Sequence, residues 1–377
     1  MALRLDRAQV LAYRAWAQGL HGTADTLTDL DALTVGLQDT PAGSAALALR
    51  HRTRDATPLD HPDLALALTM RGTPHLHRRA DLPMLRAALR PHDNESLRAY
   101  LGGFGDQLVE SGADGPALLA RVADELRATF PGEIATKGEL SGAVSPRLPD
   151  IVCPWCESCG TAHIADGMFR LATLYAGIEL VPGQDRRLRF RLTPNTPTVT
   201  ADDHATTELL RTAIRLTGPL TLGDLVLWLD TRSVTAPSQW LRPVWTQLTD
   251  HLIAVDVDGE NLHASREAID AMADAPTPPP ALLLPPRDAY LLGHRTFLAP
   301  DRALAKEVWR PIGSPGALVI DGAVAGTWRV RRSGKKLQVT VTPQHPLTTK
   351  HRKAIAKQTE LTATVRGHDG HVEVVMG

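Results

Sequence analysis

The segment Thr200–Ala273 constrains the fold most, because its pattern specifies an order of elements and not only helical content. Apolar residues recur at helical spacing over His204–Leu216, and shorter helices are predicted over Leu222–Leu229 and Pro237–Leu252. The sequence LIAVDVDGENLHA then predicts two short strands joined by an Asp-Gly turn. Three helices followed by a hairpin are typical of a winged helix, a helix-turn-helix variant whose third helix is the candidate reader of a DNA groove.

Looser versions of this order precede the segment, and a strand-rich region follows it. The earlier predicted helices are Arg7–Gln18, Leu30–Leu37, Ser44–Arg52, Glu95–Glu110, Pro116–Thr129, Lys137–Val144 and Asp166–Ala176, with strands within Ala65–His77. The later predicted elements are strands in Gly316–Trp328, Lys336–Thr342, Leu361–Val365 and His371–Val375, and a helix over His345–Gln358. We therefore predict an α+β chain divided into winged helix 1 (1–90), winged helix 2 with a cysteine-rich insert (91–199), winged helix 3 (200–275), a proline-rich linker (276–286) and a mostly antiparallel β domain (287–377).

Charge is balanced over the whole chain but not along it. The formal net charge is −1, which excludes a uniformly basic nucleic-acid binder. From Thr327 to Arg366, however, the sequence contains ten Lys and Arg residues and only one acidic residue. Smaller basic clusters lie at Arg186–Arg191 and His75–Arg79. Phosphates respond to local potential, so such patches can bind DNA. Solvated surface charge is the alternative.

The cellular compartment is inferred from the chain start and the cysteines. The first residues carry charges where a signal peptide has its apolar stretch, and no apolar run of about 18 residues predicts a membrane helix. The three cysteines, all between Cys153 and Cys159, are not a disulfide framework. We expect a cytoplasmic monomer without membrane association.

The sequence CPWCESCGTAH is a candidate metal site. Thiolates and imidazole at short spacing suit tetrahedral Zn²⁺, although four ligands in so short a stretch are crowded for one ion. A packed turn with buried thiols is the alternative, and an iron–sulfur cluster would need a fourth cysteine. We expect no cofactor to be required, with Zn²⁺ as a candidate at Cys153, Cys156, Cys159 and His163.

Several strings together resemble the winged-helix DNA glycosylases of the AlkZ/YcaQ type. They are RAQVLAYRAWAQGL, VGLQDTPAGSAALALRHR, TMRGTPHLHRRADLP, TKGELSGAVSPRLP, WCESCGTAH, PPRDAYLLGHRTFLAPD and VIDGAVAGTWR, in order along most of the chain. The resemblance implies three tandem winged helices and a C-terminal β-barrel, arranged as a C-shaped clamp on double-stranded DNA. It also implies release of N-alkylated bases and unhooking of interstrand crosslinks.

The resemblance places the catalytic motif, Gln-x-Gln or Gln-x-Asp, on GLQDTP. Gln38 matches the first position, and the second falls on Thr40, or on Asp39 if one residue is deleted. A carboxylate or amide near the sugar can stabilise the oxocarbenium character of glycosidic bond cleavage. The alternative is that Asp39 or Thr40 only caps the next helix. The chain also differs from the family pattern at Ala289. This residue follows Asp288 and stands where many relatives have an acid.

Two basic regions are the candidate DNA contacts. The first is the wing of winged helix 1 and the second is the C-terminal β domain, with Arg71, His75, His77, Arg78, Arg79, Arg329, Arg331, Arg332, Lys335 and Lys336 as predicted contacts. For the wing, a solvated hairpin is the alternative. The leading hypothesis is a glycosylase acting on N-alkylated, including crosslinked, purines. The alternatives are a non-catalytic DNA-binding regulator or lesion binder, and a metal-dependent sensor.

Overall fold

The computed structural model describes residues 2–183, 187–194, 196–229, 241–333, 336–368 and 371–377. Arg186, Lys335 and the first four residues of the third predicted helix in 200–275 lie outside the described residues. Contacts divide the chain into two units. The first unit comprises Met1–Pro58, Arg211–Asp224 and Leu248–Gly377. The second unit comprises Leu59–Leu210 and Leu225–Gln247. Each unit joins segments that are distant in sequence, so the five-part division of the chain stays a prediction.

Several helices of the first unit begin where polar side chains cap them. Asp6 accepts hydrogen bonds from the backbone N–H groups of Ala8 and Gln9, and Thr348 Oγ1 accepts one from His351. The helices are Arg7–Ala17, Ala32–Val35, Ser44–Arg50, Arg266–Met272, Arg295–Leu298, Arg302–Val308 and Thr349–Val365.

Two sheets belong to the first unit. In the smaller one, Leu3–Arg4 runs parallel to Ile253–Val257, which pairs with Glu260–Ala264 as a hairpin. Asp258 and Gly259 at its turn have φ values of 53° and 87°, as the Asp-Gly turn predicted. The larger sheet, called the C-terminal sheet below, has the strand order Ala281–Leu284, Gly316–Ile320, Ala323–Ser333, Lys336–Pro343 and His371–Met376.

The C-terminal sheet differs from the expectation in three ways. Its last two strands are parallel, because the helix Thr349–Val365 carries the chain back between them. Residues 361–365 are therefore the end of that helix and not a strand; Ile355 and Ala363 are buried on its inner face. Ala281–Leu284, expected within the linker, is a buried edge strand. The mixed α+β class is confirmed, but three winged helices and a closed barrel are not.

The helix–helix–helix–hairpin order predicted for 200–275 is present. The helices are Asp203–Thr217, Leu222–Leu229 and Arg242–Thr249, and the hairpin described above follows them. The second helix has the predicted bounds, and the third lies inside its predicted range.

The second unit combines helices with an antiparallel sheet. Its helices are Leu82–Ala88, Asn94–Leu101, Gly103–Glu110, Gly115–Ala128, Lys137–Val144 and Asp166–Ala176. Within this unit the strand order is Pro74–Arg78, Leu64–Leu68, Ile178–Leu180, Arg189–Leu192 and Ala135–Thr136. The single helix predicted over Glu95–Glu110 is divided at Gly102, whose φ of 57° and ψ of −134° suit only glycine. In the described part of the chain, no helix is long and apolar enough to cross a membrane.

Candidate functional site

The Gln38 loop, defined as residues 36–43, lies between two short helices of the first unit. Gly36, with φ of 84°, ends the helix Ala32–Val35, so the helix expected to reach Leu37 stops early and Leu37–Gln38 is extended. Gln38 and Asp39 are only 5% and 7% exposed, whereas Thr40 is exposed. The loop therefore offers a buried amide and a buried carboxylate next to each other in sequence.

The Asp39 carboxylate is held by backbone amides at the beginning of the helix Ser44–Arg50. Its Oδ1 accepts a hydrogen bond from Ala45 N at 2.9 Å, and the N–H groups of Gly43 and Ser44 also bond to the carboxylate. Burial raises the pKa of Asp39 above its ordinary value, and these three hydrogen bonds oppose that rise. The capping role considered for Asp39 is thus present. The hydrogen bonds to the helix fix the orientation of the Asp39 carboxylate, and its burial increases the affinity of this carboxylate for a proton.

A buried ion pair anchors the helix that follows the loop. Arg52 donates two hydrogen bonds to Asp288, at 2.6 and 3.0 Å, and both side chains are completely buried. Arg52 also donates to Ala48 O at 2.8 Å and to Gln18 Oε1 at 3.3 Å, and Tyr290 N donates to Asp288 Oδ1 at 2.9 Å. Asp288 of the sequence PPRDAYLLG therefore has a structural partner. No sequence motif points to Arg52, which is 236 residues away from Asp288.

Arg14 is a second buried cation that sequence reasoning missed. Its guanidinium donates to the carbonyl oxygens of Thr217, of Tyr290 at 2.8 Å and of Leu292 at 2.7 Å. Burial lowers the pKa of Arg14 to about 10, which still leaves it charged at neutral pH. The side chain joins three separate segments of the first unit. A single Arg on an amphipathic helix gives no signal of such a role.

The helix Thr349–Val365, called the basic helix below, packs beside the helix that Asp39 caps. Leu47 of that helix and Ile355 of the basic helix belong to one hydrophobic cluster. Four cationic side chains of the basic helix are exposed: Lys350, Arg352, Lys353 and Lys357. The first unit thus combines the buried Gln38–Asp39 pair with an accessible positive surface.

The predicted contacts in the C-terminal sheet are on its surface as far as they are described. Arg329, Arg331 and Arg332 are exposed, and Arg329 donates to Gly313 O at 3.3 Å. Lys336 forms an ion pair with Glu373 at 2.8 Å. Lys335 lies outside the described residues.

The predicted wing is more buried than a phosphate-binding hairpin would be. His75 and His77 are 2% and 0% exposed, in the strand Pro74–Arg78. His75 Nδ1 lies 2.9 Å from Thr73 O, and His77 Nε2 lies 2.9 Å from Thr69 Oγ1. Burial lowers the pKa of His75 well below its ordinary value. Both rings are enclosed, so neither is accessible to a phosphate in the described structure.

The arginines of the wing have partners within the second unit. Arg71 donates to Trp228 O, and Arg78 lies 3.4 Å from the carboxylate of Asp81. Arg79 donates to Pro62 O and Leu64 O at 2.7 Å each, and to Glu179. These contacts position the three guanidinium groups, and their contact with DNA stays a prediction.

The cysteine-rich sequence brings together three of its four predicted ligands. The donor atoms of Cys156, Cys159 and His163 all lie within 4.8 Å of one another. Cys153 is not in this group, because its buried thiol donates to Ser145 O at 3.7 Å. The Ser158 hydroxyl, the Cys159 backbone and His163 lower the pKa of Cys156 to about 6. The four-residue set is thereby corrected to three.

The first unit therefore combines a buried Gln–Asp loop with a neighbouring basic helix. The sequence profile of the DNA glycosylase AlkZ-like family matches residues 32–365, and the chain belongs to this family. Streptomyces sahachiroi DNA glycosylase AlkZ has a similar solved structure, with a TM-score of 0.74 and 20% identity over 100% of both chains. At this identity the likeness concerns the fold. No curated protein matches the sequence.

Proposed function

We propose that this protein hydrolyses the N-glycosidic bond of N-alkylated purines in double-stranded DNA, including purines joined in a crosslink. Family membership supports a glycosylase, and the observation that carries the proposal is the buried, backbone-oriented Asp39 beside Gln38. The basic helix and the exposed arginines of the C-terminal sheet would bind the phosphate backbone. The protein would act as a monomer.

An N7-alkylated guanine carries a positive charge, so it is a good leaving group. The bond between C1′ and N9 breaks with its electron pair moving to the base, which leaves as a neutral molecule. The sugar then has oxocarbenium character, and an ionised Asp39 would stabilise that charge. A water molecule adds to C1′ and loses one proton to solvent water, giving an abasic site and free base. Gln38 would orient this water through its amide.

The orientation of Asp39 contributes to this chemistry because a fixed charge needs little reorganisation when the transition state forms. The helix begins at Ser44, and the backbone amides of Gly43, Ser44 and Ala45 hold the carboxylate in place. Thr40, the other candidate for the second motif position, is exposed and offers only a hydroxyl. We therefore assign the second catalytic position to Asp39.

The test is base release from duplex DNA containing 7-methylguanine, measured against spontaneous loss from the same DNA. We expect Asp39→Asn and Gln38→Ala to reduce release at least about tenfold, or about 1.4 kcal/mol in the barrier. Thr40→Ala is the matched control within the loop and should stay near wild type. Asp39→Asn keeps an oxygen that can accept the Ala45 hydrogen bond. A lower rate in this variant would therefore reflect the loss of the carboxylate charge and not the loss of helix capping.

DNA binding by each variant is measured in parallel. If wild type binds the duplex but releases no base from methylated or crosslinked DNA, Asp39 is only a helix cap. The protein would then be a non-catalytic DNA-binding protein, and preference for a particular undamaged sequence would identify it as a regulator.

A further inference from the structure

The cysteine hairpin, defined as residues 154–163, is a part of the second unit that the proposed function does not use. Its strands, Trp155–Cys156 and Thr161–Ala162, have two residues each. No residue from 154 to 162 is buried, and Trp155 is 62% exposed. Two-stranded hairpins are marginally stable in water without a hydrophobic face. The stability of this hairpin therefore calls for a contribution other than apolar burial.

The turn of the hairpin places two thiols on one side. Cys159 N and Gly160 N both donate to Cys156 O, at 3.2 and 2.9 Å, and Gly160 has a φ of 62°. His163 follows the second strand, and its Nδ1 donates to Ile164 O at 2.9 Å. The lone pair of this imidazole is thereby assigned to Nε2. Histidine ligands of metals are commonly oriented by such a hydrogen bond on the other ring nitrogen.

We propose that Cys156 Sγ, Cys159 Sγ and His163 Nε2 bind one Zn²⁺ ion, with a water molecule as the fourth ligand. Two thiolates and an imidazole form a donor set that Zn²⁺ prefers over harder cations. Tetrahedral angles and ordinary bond lengths put zinc ligands ~3.7 Å apart. The observed separations of up to 4.8 Å therefore require only a small contraction.

The ion would cross-link the turn to the residue after the second strand. It would thereby close the hairpin and hold Trp155 at the surface in one arrangement. Cys153 is excluded as a ligand by its buried hydrogen bond to Ser145 O.

The first experiment measures zinc content and the Co²⁺ spectrum of the full-length protein. We expect one zinc per chain and, after exchange, the absorption of thiolate-bound tetrahedral Co²⁺. Cys156→Ser, Cys159→Ser and His163→Ala should abolish both, whereas Cys153→Ser and Cys153→Ala should retain both. Far-UV circular dichroism checks that each variant is folded.

Three results would overturn the proposal. A metal-free wild type that gives no thiolate–Co²⁺ absorption removes the site. Loss of metal from both folded Cys153 variants indicates a four-ligand site. Failure of Cys156 and Cys159 to react with a thiol reagent until a reductant is added identifies a disulfide pair instead.

The second experiment tests whether the ion stabilises the hairpin. Glu157 is exposed at its tip, so a glutamate-specific protease reports on local opening. We expect chelation to accelerate cleavage after Glu157 about tenfold, while cleavage after exposed Glu133 stays unchanged. Equal rates after Glu157 with and without zinc would contradict a stabilising role. None of these measurements depends on glycosylase activity.

Discussion

The Gln38 loop and the cysteine hairpin are stabilised by opposite means. The loop contains buried side chains and precedes a helix that the buried Arg52–Asp288 pair anchors. The hairpin has no buried residue between 154 and 162, and it contains Cys156, Cys159 and His163, whose donor atoms lie within 4.8 Å of one another. The protein interior orients the side chains of the Gln38 loop, whereas we propose that a Zn²⁺ ion orders the cysteine hairpin.

The largest expected effect is on the anchoring of the Gln38 loop. Arg52→Ala leaves the buried carboxylate of Asp288 without its cationic partner, so we expect a loss of about 3–5 kcal/mol in the free energy of unfolding. The matched control is Arg54→Ala. Arg54 pairs with Asp25 at the same 2.6 Å, but these side chains are 60% and 68% exposed. That pair should contribute at most about 1 kcal/mol.

Urea unfolding followed by tryptophan fluorescence measures both variants. Similar losses for Arg52→Ala and Arg54→Ala would show that the interior does not anchor the loop through this pair.

The helix bounds show which features of the fold are determined by short stretches of sequence. Lys137–Val144 has the predicted bounds because Thr136 and Glu139 form a capping box that the sequence displays. Asp166–Ala176 has its predicted end because Gly177 follows in the left-handed conformation. Residues 361–365 look like a strand locally. They are helical because Thr362 donates back to Gln358 O and Ala363 packs inward.

The candidate sites are likewise predictable only where the residues lie close together in the sequence. The family resemblance of the string GLQDTP points to Gln38 and Asp39, and the short spacing of the cysteines points to a metal site. The pairing of Arg52 with Asp288 and the burial of His75 and His77 depend on segments brought together by folding. A solvated hairpin is the alternative that the sequence leaves open for the wing, but the strand Pro74–Arg78 is covered on both faces.

The second prediction concerns the pH dependence of base release. Asp39 must be ionised to stabilise a positive sugar, so the rate should fall as pH decreases through its pKa. Burial raises that pKa. The acidic limb should therefore lie above the value of about 3.9 typical of an exposed Asp. Rates corrected for spontaneous depurination measure it. The residual activity of Asp39→Asn should lack this limb, and an identical limb in the variant would assign it to another group.

A smaller effect is expected from the positive surface near the loop. Lys353 is exposed on the basic helix, so Lys353→Gln should weaken binding to every duplex sequence and reduce the logarithmic salt slope by about 1. Fluorescence anisotropy at several salt concentrations measures this slope. Arg54→Gln is the control, because its guanidinium is already paired with Asp25. Equal slopes for wild type and Lys353→Gln would place the phosphate contacts elsewhere.

The smallest expected effect tests the contrast itself. If zinc organises only the cysteine hairpin, chelation or Cys159→Ser should leave base release within about twofold of wild type, because the Gln38 loop is held by its own buried contacts. Single-turnover rates at saturating enzyme measure the chemical step apart from DNA affinity. A loss of rate that zinc restores in wild type but not in Cys159→Ser would mean that the two regions are coupled. If chelation leaves the rate of base release unchanged but accelerates cleavage after Glu157, the metal orders the cysteine hairpin without affecting the Gln38 loop.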